Sequence, residues 1–368
     1  HRPGLEPEER DALLAAVAAA RRPFLLLGDE VHWDRPPRLR EVVERLHLPF
    51  VTLRLGRGAI DEHHPLWAGP GYTPCNATLR SALGEADLVL LLGHHFEFDL
   101  EFGSVVPPAT RVVQCVSDPE LLGRNRRADV GLLASPGAVV DVLAGTSPGP
   151  VDRGWVRRVV EAWHEERGRQ GGVGTPLTGD DAAAMHPVTA VDAIVEAAPA
   201  DTVFVTSHGN VDFWADARIR VRRPGSYLRA GQAGALGAEI PYGVGARFAD
   251  PERPVVVIVG DGGVGYHVTE LDTAARYDRP VVVAVLDDEK WAAIALPQRQ
   301  AYGAEFEMGL PRRDWMRVAQ ALGGFGASAS TPAEVQNALR SAIGSGLPSV
   351  IQIPVRSVLS PYMAFISG

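Results

Sequence analysis

Continuous apolar runs alternate with helical stretches along this chain. In the first half the runs are Pro23-Phe24-Leu25-Leu26-Leu27-Gly28, Phe50-Val51-Thr52-Leu53, residues 86–93 and Arg111-Val112-Val113-Gln114-Cys115-Val116. Helical patterns at 13–20, 38–46 and 77–83 separate them. Strands that are apolar at successive positions are buried on both faces, and intervening helices supply the crossovers that parallel pairing needs. Residues 1–150 therefore read as a Rossmann-like domain with a parallel sheet.

The pattern changes over residues 151–184. A helix is predicted at 155–169, followed by Gln170-Gly171-Gly172-Val173-Gly174-Thr175-Pro176, a linker-like composition. Residues 185–368 return to alternation. Helices are predicted at 188–197 and 268–277, and a Gly-rich helical segment at 231–248. Strands are predicted at 202–206, 254–259, 280–286 and 349–354. The fold class is α/β, with two doubly wound, mainly parallel sheets.

Totals narrow the reading. The 368 residues suit two or three domains at roughly 150 residues each, and 46% hydrophobic residues are enough to fill their cores. A net charge of −9 argues against a nucleic-acid partner, which needs a basic face. The chain lacks an apolar run of the roughly 18 residues a membrane span requires. Cys75 and Cys115 form no CxxC pair and read as reduced thiols of a cytoplasmic protein.

The sharpest local signal is Val255-Val256-Val257-Ile258-Val259-Gly260-Asp261-Gly262-Gly263-Val264-Gly265, a buried strand running into glycines and then a helix. Ligands bind beyond the carboxyl ends of such strands, and amides at a helix start favour anions. Gly260, Gly262 and Gly265 fit the G-x-G-x-x-G dinucleotide turn, and Asp287, 22 residues on, stands where a ribose-binding acid belongs. Asp261 opposes that reading, because a bare carboxylate beside a pyrophosphate repels it. A divalent cation bridging carboxylates and diphosphate removes the conflict, and magnesium prefers such oxygen ligands. Asp288 follows Asp261 by 27 residues, at the end of the next predicted strand, so both acids reach one rim.

This pairing resembles the motif of thiamin diphosphate-dependent enzymes, in which G-D-G is followed after about two dozen residues by paired asparagines. Here 24 residues intervene, and Asp287 and Asp288 stand in place of the asparagines. The resemblance implies that Asp261 and Asp288 give side-chain oxygens, and Lys290 its backbone carbonyl, to Mg2+. It implies that Gly260, Asp261, Gly262 and Gly263 lie against the cofactor. Gly234-Ala235-Leu236-Gly237-Ala238-Glu239-Ile240-Pro241-Tyr242-Gly243-Val244-Gly245-Ala246 is similar to the family's G-x-M-G-x-x-x-P-x-x-x-G-A stretch. Leu236 would then wedge between the cofactor rings, with the Gly234 carbonyl and Leu236 amide meeting the aminopyrimidine. Ser207-His208-Gly209-Asn210-Val211-Asp212-Phe213-Trp214 resembles the diphosphate loop of acetolactate synthases and 2-hydroxyacyl-CoA lyases, with Gly209 and Asn210 as contacts. Leu92-Gly93-His94-His95-Phe96-Glu97-Phe98-Asp99-Leu100-Glu101-Phe102-Gly103 looks like a central-domain segment of the same subgroup. The pairs His63-His64 and His94-His95 would point to opposite faces of an extended chain, so no paired-histidine metal site is expected.

The family's pyrimidine domain, which carries the activating glutamate, has no counterpart here. The resemblance thus implies a partner: a separate pyrimidine-domain subunit or a missing N-terminal domain, assembled as dimers or tetramers of such units. It implies decarboxylation of a small 2-oxo acid and ligation of the product fragment to a second carbonyl. Simple decarboxylation and acyl-CoA lysis are family alternatives. Trp291 and Ile294 are candidates to shape the substrate pocket. The sequence leaves open whether the central domain holds FAD or ADP. From other classes, a dinucleotide-dependent oxidoreductase and a non-catalytic cofactor-binding subunit remain as rivals.

Overall fold

In this computed structural model, residues 4–170, 184–206, 208–230, 234–358 and 360 are described. Six parallel strands build the first sheet: β1 (Pro23–Leu27), β2 (Phe50–Thr52), β3 (Trp67–Pro70), β4 (Leu88–Leu92), β5 (Arg111–Val116) and β6 (Val130–Leu133). Their order is β3-β2-β1-β4-β5-β6. Successive strand residues face opposite sides. Leu25, Leu27, Leu90 and Leu92 enter one apolar cluster, while Phe24, Leu26, Val89 and Leu91 enter the other. That double burial is why β1 and β4 are apolar at every position.

The helix expected in a linker is Arg153–Arg169, and it is part of this unit. Trp163 sits in the first cluster and Trp155 in the second, both fully buried. Residues Arg220–Gly225 join the same unit. There the Glu62 carboxylate accepts from the Val221 amide at 2.8 Å, and the Glu62 amide donates to the Val221 carbonyl at 2.9 Å. The first unit thus extends past residue 150, because the helix completes its cores. The glycine-rich residues 171–176 of the expected linker lie outside the described residues.

The second unit holds β7 (Val203–Thr206), β8 (Tyr227–Arg229), β9 (Val255–Gly260), β10 (Val282–Asp287), β11 (Phe325–Ser328) and β12 (Ser349–Pro354). All are parallel, in the order β11-β12-β10-β9-β7-β8. The chain steps from β7 to β8 on one side, then to β9 on the other. The order therefore reverses between β7 and β9, the place where open α/β sheets bind ligands. The helical segment expected from residue 231 begins only at Glu239. Gly234 and Gly237 have φ of +63° and +82°, incompatible with a helix. The helix expected at 268–277 is Glu270–Arg276, and a separate helix, Asp261–His267, precedes it.

Among the described residues no helix is long and apolar enough to cross a membrane. Cys75 and Cys115 are buried and not joined in a disulfide. His63 and His64 pair separately, with Asp61 and Glu44. His94 and His95 differ from the expectation: their rings lie 5.4 Å apart, inclined by 37°. β4 ends at Leu92 and Gly93 turns the chain at φ +68°, so strand alternation no longer applies.

Candidate functional site

The segments that leave β7, β9 and β10 at the reversal point enclose a cleft of about 270 Å³. After β7, Gly209 (φ +129°) leads into the helix Asn210–Arg218, and Gly209, Asn210 and Val211 line the cleft. After β9, Gly260 to Gly263 line it, with Asp261 opening the next helix. After β10, Asp288 and residues Lys290 to Ile294 complete the wall, and Leu236 and Gly234 face them.

Two of the glycines are required by close packing. A Cβ on Gly262 would lie 2.3 Å from the Trp291 ring, and one on Gly263 would lie 2.7 Å from Glu239 Oε1 and 2.8 Å from Val259 Cγ2. Gly262→Ala should cost roughly 1–3 kcal/mol through overpacking. A urea melt followed by tryptophan emission checks this, and an unchanged midpoint would mean that Trp291 moves aside freely.

The acids of the cleft repel one another. Burial, then the charges of Asp288 and Asp287, push the Asp261 carboxyl above the ordinary carboxylate range. Burial does the same to Asp288, against a hydrogen bond from Ser357 Oγ at 2.8 Å. Lys290 Nζ is drawn towards Glu305, at 3.3 Å. This set of hard oxygen donors has an excess of negative charge, and a divalent cation fits it. The residues present therefore suit a metal-linked diphosphate, and the glycine turn leaves its backbone open to the cleft.

Asp287 does not share that role. Its carboxylate accepts from Gln352 Nε2 at 2.6 Å and from the Glu289 amide at 3.3 Å. Gln352 lies on β12, in register opposite Val285 of β10, so it reaches the same face as Asp287. An acid held this way is not presented to a ribose. Gly265, the last glycine of the dinucleotide pattern, has ordinary room, its Cβ position 3.6 Å from Trp315.

The family model described as thiamine pyrophosphate enzyme, C-terminal TPP binding domain, matches residues 207–353. The model for the central domain of thiamine pyrophosphate enzymes matches residues 10–143. The chain belongs to the thiamine pyrophosphate enzymes. An acetolactate synthase large subunit of Mycobacterium tuberculosis is 29% identical over 345 residues, 93% of this chain and 61% of that protein. A sulfoacetaldehyde acetyltransferase of Castellaniella defragrans is 28% identical, covering 90% and 60%. A 2-hydroxyacyl-CoA lyase 2 of Caenorhabditis elegans is 28% identical, covering 87% and 50%. The chain thus spans between half and about three fifths of the length of these relatives.

Within this thiamine pyrophosphate (thiamin diphosphate) enzyme fold, one cleft gathers Gly209, Asn210, Gly234, Leu236, Gly260, Asp261, Gly262, Gly263, Asp288, Lys290, Trp291 and Ile294. Asn210 is there, but its side chain is committed elsewhere. Its Nδ2 donates to the Val358 carbonyl at 2.7 Å, and its Oδ1 accepts from the Ser360 amide at 2.8 Å. Only its backbone is free to face a diphosphate. Trp291 packs on Gly262 and lies edge-on to Tyr266, so it is floor as much as pocket wall, whereas Ile294 is 54% exposed on the rim. Ser207, named in the diphosphate loop, lies outside the described residues.

Sequence reasoning missed the carboxyl-terminal segment. Ser357, Val358 and Ser360 brace Asp288 and Asn210 from about 70 and 150 residues away, and no local spacing announces that. His208 also lines the cleft. Burial, then the Arg229 charge, lowers its pKa to about 4, so it is a neutral wall at physiological pH.

Proposed function

We propose that this chain forms the diphosphate- and magnesium-binding half of a carboligase of the acetolactate synthase type. The observation that carries the reading is the meeting of Asp261, Asp288 and the Gly260–Gly263 turn in one cleft at the β7/β9 reversal. Asp261 and Asp288 would hold Mg2+ through side-chain oxygens, and Lys290 through its carbonyl. The backbone of Gly209, Asn210, Gly262 and Gly263 would meet the diphosphate, and Leu236 would hold the rings bent. When bound, thiamin diphosphate supplies the electron sink that lets a 2-oxo acid lose carbon dioxide before the fragment joins a second carbonyl. Neutral His208 adds no charge beside it, and Ile294 with Ala292 and Ala293 leaves an apolar space for the acceptor.

The activating glutamate would come from a pyrimidine domain, on a separate subunit or an N-terminal region. Tyr266, Ile294, Tyr302 and Phe306 stand exposed on this unit, and apolar exposure of that kind suits a protein partner. A thermal titration tests the reading. Thiamin diphosphate should raise the melting temperature only with Mg2+, and NAD or FAD should not replace it. Stabilisation by a dinucleotide without metal would refute it. Product analysis with a pyrimidine-domain partner then separates carboligation from simple decarboxylation and from acyl-CoA lysis.

A further inference from the structure

The first sheet also reverses its strand order, between β1 and β4. The crevice beyond the carboxyl ends of those strands is a second place where an open α/β fold binds ligands. His94, His95 and Glu97 follow β4 there. His94 Nε2 lies 3.3 Å from Glu97 Oε1, and His95 Nε2 lies 3.7 Å from Glu97 Oε2. One donor atom from each residue lies within 4.8 Å of the others, and all three residues are buried.

Two further observations point to a ligand. His94 Nε2 is buried and makes no hydrogen bond, although Glu97 Oε1 is only 3.3 Å away. Leaving such an atom unsatisfied costs about 1–3 kcal/mol. Asp29, Glu97 and Asp99 all pair with one guanidinium, that of Arg54. Arg54 also approaches the opposite nitrogen, His94 Nδ1, at 3.4 Å, and Asp29 Oδ2 lies 3.9 Å from it. The backbone is held in place: Gln114 Nε2 donates to the His94 carbonyl at 3.1 Å, and Asn125 Nδ2 to the Phe96 carbonyl at 2.6 Å.

We propose that His94, His95 and Glu97 bind a divalent transition-series cation of the zinc class. Two imidazoles and a carboxylate suit zinc or cobalt, whereas magnesium prefers oxygen alone. Three protein ligands leave one position for water or a small anion. The ion would add positive charge beside the carboxylates that pair with Arg54.

The test uses the full chain, stripped by a chelator and titrated with Co2+ in the presence of Mg2+. One equivalent should bring the intense visible absorption of a four- or five-coordinate site, and Zn2+ should displace it and raise the melting temperature. His95→Ala, and Glu97→Gln as the shape-preserving variant, should each weaken Co2+ binding by at least about 10-fold. Both should keep the wild-type melting temperature in the absence of transition metal to within a few degrees. Weak octahedral absorption in the wild type overturns the proposal. So does undiminished binding in both variants, which would place the ion on other histidines such as exposed His63. Arg54→Met should tighten binding by removing a competing cation, and loss of binding there would make the arginine the cation for which the cluster is built.

Discussion

Asp261→Asn should raise the stability of the metal-free protein while abolishing its stabilisation by thiamin diphosphate with magnesium. The two effects have one cause. In the free site, burial and the neighbouring Asp288 and Asp287 raise the Asp261 carboxyl above its ordinary value, and burial raises Asp288. A carboxyl raised in the folded state binds protons that the unfolded chain has already released. Its stabilising contribution is complete below about pH 4 and is lost as pH rises towards the folded value. At neutral pH the empty site therefore costs stability, and removing one charge should recover roughly 1–3 kcal/mol. Asp212, raised to about 7 by burial, titrates in the same window. It is present in both proteins, so the difference between their pH–stability curves reports Asp261 together with Asp288, whose charge acts on it. With ligand at 100 times its dissociation constant, the wild type gains about 2.7 kcal/mol. On the proposed reading the variant loses an anionic metal ligand and should gain almost none. Parallel pH curves for the two proteins, or equal gains with cofactor, would remove Asp261 from the metal site.

Much of this was legible in the chain because the signals are local. β1 and β4 are apolar at every position, β9 up to its closing glycine and β10 up to Asp287, the pattern of strands covered on both faces. Trp67–Pro70 and Tyr227–Arg229 were not legible as strands, since each is short and lacks an apolar run. The cleft residues on Gly260-Asp261-Gly262, Leu236 and Asp288 follow from motif spacing, and the structure places them together. What spacing cannot carry is the tertiary use of a side chain. Asp287 stands where a ribose-binding acid would belong, but its neighbour in space, Gln352, takes the carboxylate. Asn210 reads as a diphosphate contact, but Val358 and Ser360 take its amide. His94 and His95 read as divergent, but the strand ends at Leu92, before them, and their rings lie 5.4 Å apart.

In the first unit the largest expected loss comes from Arg57. Its Nε lies 3.0 Å from Glu62 Oε1, and its terminal nitrogen 2.7 Å from Oε2, with side chains only 1% and 0% exposed. Glu62 also accepts from Thr52 Oγ1 at 2.7 Å and from the Val221 amide at 2.8 Å. A buried pair of this kind adds little net stability, but removing one member strands a charge and costs about 3–5 kcal/mol. Arg57→Met should therefore lower the melting temperature by roughly 10 °C near neutral pH. The lone carboxylate can escape by taking up a proton, so the deficit should shrink as the buffer is made mildly acidic. Glu62→Gln leaves the opposite problem, because a buried guanidinium cannot shed its proton. Its deficit should be similar in size and stay constant over the same pH range. Melting both variants at neutral and mildly acidic pH separates charge from shape. If both deficits are equally insensitive to pH, lost packing rather than the stranded charge sets the cost.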